Sequence, residues 1–328
     1  MTHAYAVVFA KPGEPQVLEL RDYPLRAAGP GEITIAIEAA GVNFIDVHRR
    51  SGALEDGSSF PRTLGVEGAG RVVDCGPQVR GLSPGDRVAF VDSSTGSYAS
   101  HAVLPATRAI RLPDDVSSET AAALMFKGLT AEYLTHRCVP LAPDDWVVWH
   151  AAAGGVGSIA TGWLAARGIR VIGLASSEAK RRQVLDAGCY AALDSDAPGA
   201  LSFIREVTDG KGAHTVFDSV GRATFELSLA SLRQRGHLVL FGNASGDVTG
   251  FNLSRLGSMG SLHVTRPSLK HYVGQDAELA SSAAQVLASL SKGLIAVPLI
   301  TRLPLAMAAE AHRIMQDRQT QGSLILVP

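Results

Sequence analysis

Residues 146–165 read WVVWHAAAGGVGSIATGWLA and carry no charged side chain. The first five are bulky or β-branched, three alanines and a glycine cluster follow, and a small-residue run with helical character closes the stretch. A strand that stops in a glycine turn and restarts as a helix leaves several backbone N–H groups pointing at one spot. The helix dipole makes that spot mildly positive, so it suits a phosphate. The run is long enough to resemble a membrane span. Gly154, Gly155, Gly157, Gly162 and His150 interrupt it, however, and strand–turn–helix accounts for the pattern better.

The rest of the chain places this unit in context. Up to about residue 120, β-rich pieces such as AYAVVFA, EITIAIEAAGV, GAGRVVDCG, DRVAFV and SYASHAVLP alternate with GPGE and LSPGD turns. In SSETAAALMFKGLTAEYLTHRC, Ser117 or Ser118 can cap a helix. From Trp146 the rhythm becomes WVVWHA then GSIATGWLAARG, RVIGLAS then SEAKRRQVLDAG, and HTVFDSV then a helix over ATFELSLASLRQRG, followed by HLVLFG. Such alternation implies a parallel sheet covered on both faces. The tail adds a helix (AELASSAAQVLASLSKG), a β piece (LIAVPLITRLP), a helix (AMAAEAHRIMQDR) and a last strand (GSLILVP) that is expected to return to the first domain.

At 328 residues the chain is too long for one ordinary core. The expected class is α/β: a doubly wound parallel sheet of Rossmann type over 123–265, plus a β-rich domain built from 1–122 and 266–328. With 30 basic and 31 acidic residues the net charge is −1, which gives no electrostatic reason for nucleic acid or an anionic membrane as partner. Cys75, Cys138 and Cys189 lie far apart with no CxxC spacing, so a reducing, cytoplasmic setting is expected. MTHAYAVVFAKPG is a short apolar run stopped by Lys11 and Pro12 and does not read as a signal peptide.

AAAGGVG reads as a dinucleotide turn in which Gly154, Gly155 and Gly157, with Val156 between them, let the backbone approach a pyrophosphate. A carboxylate at the end of the next strand would accept the ribose hydroxyls of NAD. Here Ser176 and Ser177 stand at that place, with Lys180, Arg181 and Arg182 following. Hydroxyls and a lysine attract a 2′-phosphate that a carboxylate would repel, so the expected cofactor is NADPH.

The stretches GVNFID, LGVEGAGRV, FKGLTA, HAAAGGVG, FDSVG, LVLFGNASG, LHVTRPSL and AHRIMQDRQTQGSLILVP run from residue 41 to the end. Through them the chain resembles the quinone oxidoreductases, the zeta-crystallin-like, zinc-free branch of the medium-chain dehydrogenase/reductases. The resemblance implies a GroES-like catalytic domain from both chain ends, a Rossmann domain and bound NADPH. Asn43 and Asp46 stand where zinc-dependent relatives carry a cysteine motif, and Val66 stands at their ligand histidine beside a retained Glu67. No metal is therefore expected. Carried over by the resemblance, cofactor contacts fall on Asn43, Phe44, Asp46, Lys127, Thr130, the Gly154–Gly157 turn, Lys180, Ser219, Phe241, Gly242, Asn243, Ala244, Arg266 and Arg318. Two positions depart from relatives, which carry tyrosine where this chain has His48 and Ser195.

The expected activity is reduction of a quinone by NADPH, with Asn43, His48 and Arg266 orienting the carbonyl and stabilising the developing oxyanion. Two alternatives stay open: reduction of the C=C bond of enones or enals, and an NADPH-binding protein without turnover, crystallin-like or RNA-binding. GSLHVTRPSL reads as a late, open-edged strand, and a homodimer through the cofactor domain is expected.

Overall fold

The computed structural model describes residues 4–54, 57, 59–91, 96–195, 198–297, 299–317, 320 and 322–328. The chain divides into two compact units, 1–127 with 297–328, and 128–296.

The first unit is β-rich. Strand Glu32–Gly41 is its hub. It pairs antiparallel with Glu67–Cys75, His101–Pro105 and Ser323–Val327, and the sheet continues outward through Arg87–Val91 to Ala109–Arg111 and through Ser323–Val327 to Ile300–Pro304. The register Ile325↔Gly41 ties the end of the chain to its beginning. A second sheet joins Glu19–Asp22, Tyr5–Phe9 and Arg62–Thr63. Alternation along Glu32–Gly41 turns Ile33 and Ile35 inward, where they pack with Val72, Val88, Phe90 and Leu324. These two sheets carry the GroES-like, β-rich half of the expected fold.

The second unit holds a six-stranded parallel sheet in the order Ala191–Asp194, Arg170–Ala175, Trp146–His150, Ala213–Asp218, Leu232–Leu240, His263–Thr265. This is the doubly wound Rossmann order. The chain runs outward from Trp146–His150 in one direction, then restarts beside it in the other, so the topological switch lies between Trp146–His150 and Ala213–Asp218. Val148, Ile172, Val216 and Leu238 are wholly buried, as both faces of such a sheet require.

Two expectations give way to tertiary structure. The helix expected over 223–236 covers only Phe225–Ala230, and a strand starts at Leu232. Leu232 pairs with Ala213 and is buried, while Arg235 sits at φ 57°, a conformation no α-helix contains. The boundary expected at residue 266 lies instead near 297. Arg137 donates to Ser282 Oγ at 2.9 Å and to the Tyr272 carbonyl at 2.9 Å, and Tyr133 stacks on Tyr272 at 4.3 Å, which holds 266–296 in the second unit. The other boundary falls within helix Ser118–Tyr133, whose start is capped by Ser117 Oγ accepting the Thr120 N–H at 3.1 Å.

Candidate active site

In the first unit, polar groups gather where strand Glu32–Gly41 ends. Helix Phe44–Ser51 begins there because Asn43 is extended and its carbonyl accepts the Asp46 N–H at 3.0 Å, while Asp46 Oδ2 accepts the Asn43 N–H at 2.9 Å. Asn43 Nδ2 donates to Glu67 Oε1 at 2.8 Å. Glu67 has no exposed surface and takes two further donors, Lys127 Nζ at 3.2 Å and the Phe126 N–H at 2.7 Å. A buried carboxylate persists only with partners, and this one has three. A Cβ on Gly41 would stand 2.2 Å from Glu67 Oε1, so glycine leaves the room for this approach.

Asp46 departs from the expectation of a cofactor contact. Its carboxylate is wholly buried, and Oδ2 also accepts Tyr98 OH at 3.3 Å; Tyr98 OH in turn lies 3.2 Å from His312 Nε2. Burial is the main cause that pushes the Asp46 acid up to about 7, raises the Tyr98 phenol well above its usual range and lowers His312 to about 3. Phe44 is exposed on the same helix, with its ring 6.3 Å from the His48 ring. Lys127 and Thr130 are both buried on helix Ser118–Tyr133.

In the second unit the remaining candidates cluster at the carboxyl ends of the parallel strands, where ligands of such sheets bind. Strand Trp146–His150 ends in Ala151 at φ 52°, and Gly154 then caps helix Gly155–Ala166. A Cβ on Gly157 would meet the Ala151 carbonyl at 2.5 Å and that of Ala152 at 2.7 Å. The first N–H groups of this helix, through Gly155, Val156 and Gly157, have no intrahelical acceptor. Beyond strand Arg170–Ala175, Ser176 and Ser177 are exposed, and Ser177 Oγ caps helix Glu178–Asp186 by accepting the Lys180 N–H at 3.3 Å. Arg181 is engaged with Asp194 Oδ2 at 2.9 Å, so the acid beside Ser195 is neutralised by it. Lys180 Nζ has no partner among the described residues.

Sequence reasoning missed the organiser of the next turn. Asp218 is wholly buried at the end of its strand. Its Oδ1 accepts the Val220 and Gly221 N–H groups, and its Oδ2 accepts Thr224 Oγ1 and Ser228 Oγ, both at 2.7 Å. Ser228 Oγ also lies 3.0 Å from His150 Nε2. The signal was present in FDSVG, an acid directly before a turn rich in free N–H groups. This network fixes Ser219, whose carbonyl accepts the Ala244 N–H at 3.2 Å. The Phe241–Ala244 loop is held further by Arg266, whose Nη1 donates to the Leu240 and Gly242 carbonyls, both at 3.0 Å, while Asn243 Nδ2 donates to Asp247. Arg266 is thus a bracket for the loop as well as an exposed cation. Arg318 lies outside the described residues.

Comparison with known proteins now bears on these groups. Residues 29–114 match the alcohol dehydrogenase GroES-like domain, and residues 155–288 match the zinc-binding dehydrogenase family. The quinone oxidoreductase of Pseudomonas aeruginosa is 41% identical over 325 residues, covering 99% of this chain and all of that protein. The chain belongs to the quinone oxidoreductase family of medium-chain dehydrogenase/reductases. A second family member, Escherichia coli quinone oxidoreductase, has a crystal structure in complex with NADPH. It superposes with a TM-score of 0.95 at 39% identity, over 99% of this chain and all of that one. A 2-haloacrylate reductase of a Burkholderia species is 35% identical over 98% of each chain. The zinc named in the broader family does not fit the donor set here. Asn43 and Val66 offer neither thiolate nor imidazole where zinc-dependent relatives place their ligands, and Glu67 already holds an ammonium. Among the described residues no group of three or more His, Cys, Asp or Glu is placed to hold a metal ion, and no helix is long and apolar enough to cross a membrane.

Proposed function

We propose that this chain is an NADPH-dependent quinone oxidoreductase that works without zinc, in the cytoplasm, as a homodimer. The observation that carries the cofactor is the end of strand Arg170–Ala175. Two exposed hydroxyls stand there with the Lys180 ammonium, which has no partner among the described residues, and Asp194, the acid before Ser195, is engaged by Arg181. The glycine turn suits a pyrophosphate, because the first N–H groups of the helix have no intrahelical acceptor and the tight path, which leaves no room for a Cβ at Gly157 beside the Ala151 and Ala152 carbonyls, brings them together. Ser176, Ser177, Lys180 and Ser195 would hold the adenosine 2′-phosphate. The Gly154–Gly157 turn would hold the pyrophosphate, and Ser219 with Phe241–Ala244 and Arg266 the nicotinamide half. When bound, NADPH supplies the reducing hydride. The chain's own part is placement and charge. In the first unit Asn43 keeps one amide N–H beyond the one given to Glu67, and His48 can donate when protonated. In the second unit Arg266 offers Nε and Nη2 as charged donors. Such donors stabilise oxyanion character on a quinone oxygen.

The name of the Burkholderia relative supports a second reading, reduction of an activated C=C bond, which asks for the same donors. Steady-state NADPH oxidation with a panel of quinones, enones and 2-haloacrylate decides between them. Turnover of quinones at the higher kcat/KM supports the first reading, and turnover of enones alone overturns it. The dimer rests on strand His263–Thr265, which among the described residues pairs only with Leu232–Leu240 and leaves an open edge with Val264 exposed. Light scattering that returns the mass of one chain at working concentration refutes it.

A further inference from the structure

At the amino-terminal end of the same parallel sheet, away from the glycine turn, three histidines from three strands form one stack. His237 pairs directly with His263 across the ladder, and their rings lie 4.6 Å apart at 13°; His214 and His237 lie 5.7 Å apart at 27°. The stack floors a hollow of about 430 Å³ whose remaining walls are Arg233, Gln234 and Arg235. All three residues, in an irregular stretch of strand Leu232–Leu240, are exposed, and Arg235 is held in the left-handed region with its N–H on the Gly260 carbonyl at 2.7 Å. Neither guanidinium has a hydrogen bond or ion pair among the described residues. The acid facing the cluster is Asp145, whose Oδ2 lies 3.9 Å from His214 Nε2 and accepts the Ala142 N–H. Among the described residues, two free guanidiniums and three imidazoles therefore face one partly committed carboxylate.

We propose that this hollow is a second binding site, for a small multiply charged oxyanion, separate from the residues assigned to NADPH. Guanidinium forks match the paired oxygens of phosphate or carboxylate groups. The imidazoles add charge on demand. Desolvation first, then the neighbouring His263, His214 and Arg233, holds His237 below its ordinary range, and desolvation lowers His214 as well. An anion reverses that repulsion, so binding takes up protons and strengthens as pH falls.

Calorimetry on the NADPH-saturated protein tests this, because saturation removes the pyrophosphate turn from competition. Inorganic pyrophosphate and citrate are titrated at pH 7, and sulfate, whose charge is constant there, at pH 6 and pH 8. One added site per chain is expected, with sulfate bound about tenfold or more tighter at pH 6. Arg233→Ala/Arg235→Ala should weaken pyrophosphate about tenfold or more while NADPH affinity and quinone turnover stay unchanged. His237→Gln, which removes the middle ring of the stack, should reduce the pH dependence and keeps the test open if the double variant folds poorly. Preference for pyrophosphate assigns phosphate compounds as ligand, and equal binding of citrate assigns oxyanions generally. Absence of binding to the NADPH-saturated protein, an affinity equal at both pH values, or an affinity untouched by the double variant overturns the proposal.

Discussion

Replacing Glu67 by Gln perturbs the first unit at its most constrained polar group. The carboxylate is wholly buried, and Lys127 beside it has a side chain only 8% exposed, so solvent screens their interaction little. Both Asn43 Nδ2 and Lys127 Nζ donate to Oε1, and the Phe126 N–H donates to Oε2. A glutamine can keep its oxygen toward Asn43 and Lys127, but its amide then faces the Phe126 N–H, donor against donor. The flipped amide faces two donors and is worse. One buried N–H left unpaired costs about 1–3 kcal/mol. An ammonium that keeps its burial but loses its counter-charge costs about 3–5 kcal/mol, and the two penalties overlap. The expected loss is about 4 kcal/mol, or a fall of about 10 °C in the apparent Tm for a unit of this size. Differential scanning calorimetry measures it. The double variant Glu67→Gln/Lys127→Met removes the orphaned charge and should recover about 2 kcal/mol of that loss, the coupling expected for residues in direct contact. A single variant within about 1 kcal/mol of the parent, or a double variant no more stable than the single, refutes the argument that Glu67 is held by Lys127.

Other expectations follow from the same geometry. Lys180→Ala should weaken NADPH by about tenfold or more through loss of a charged hydrogen bond while leaving NADH affinity unchanged; equal losses by calorimetry would count against Lys180 as a 2′-phosphate ligand. Gly157→Ala places a Cβ 2.5 Å from the Ala151 carbonyl, so NADPH fluorescence titration should show binding reduced about a hundredfold or lost. Asp46 has a folded pKa near 7, raised above its unfolded value by burial, so it contributes stability at low pH that is lost as pH rises from about 4 to about 7. His312, lowered to about 3, contributes in the opposite sense over a similar range. Urea denaturation of Asp46→Asn against the parent isolates the first effect: stability of the variant relative to the parent should rise between pH 4 and pH 7, and a flat difference would contradict it.

The sequence alone determined most of the elements and their kind. The glycine spacing after an apolar strand allowed only a strand–turn–helix at Trp146–Ala166, and the following alternation demanded a parallel sheet, because these signals are local and periodic. Ser176 and Ser177 in place of an acid were equally legible, since residue identity at a strand end needs no tertiary knowledge. What only the tertiary structure decided are the pairings across the chain. Glu67 meets Asn43 and Lys127 from 24 and 60 residues away. Asp46 turns inward to Tyr98, and the helix expected beyond Ala230 yields to a strand because Leu232 finds Ala213. His214, His237 and His263 share no motif at all and become one stack only when three parallel strands fall into register. Periodicity fixes which face of an element is apolar, but which distant donor meets a buried carboxylate is fixed by topology, through the cost of leaving either one unpaired.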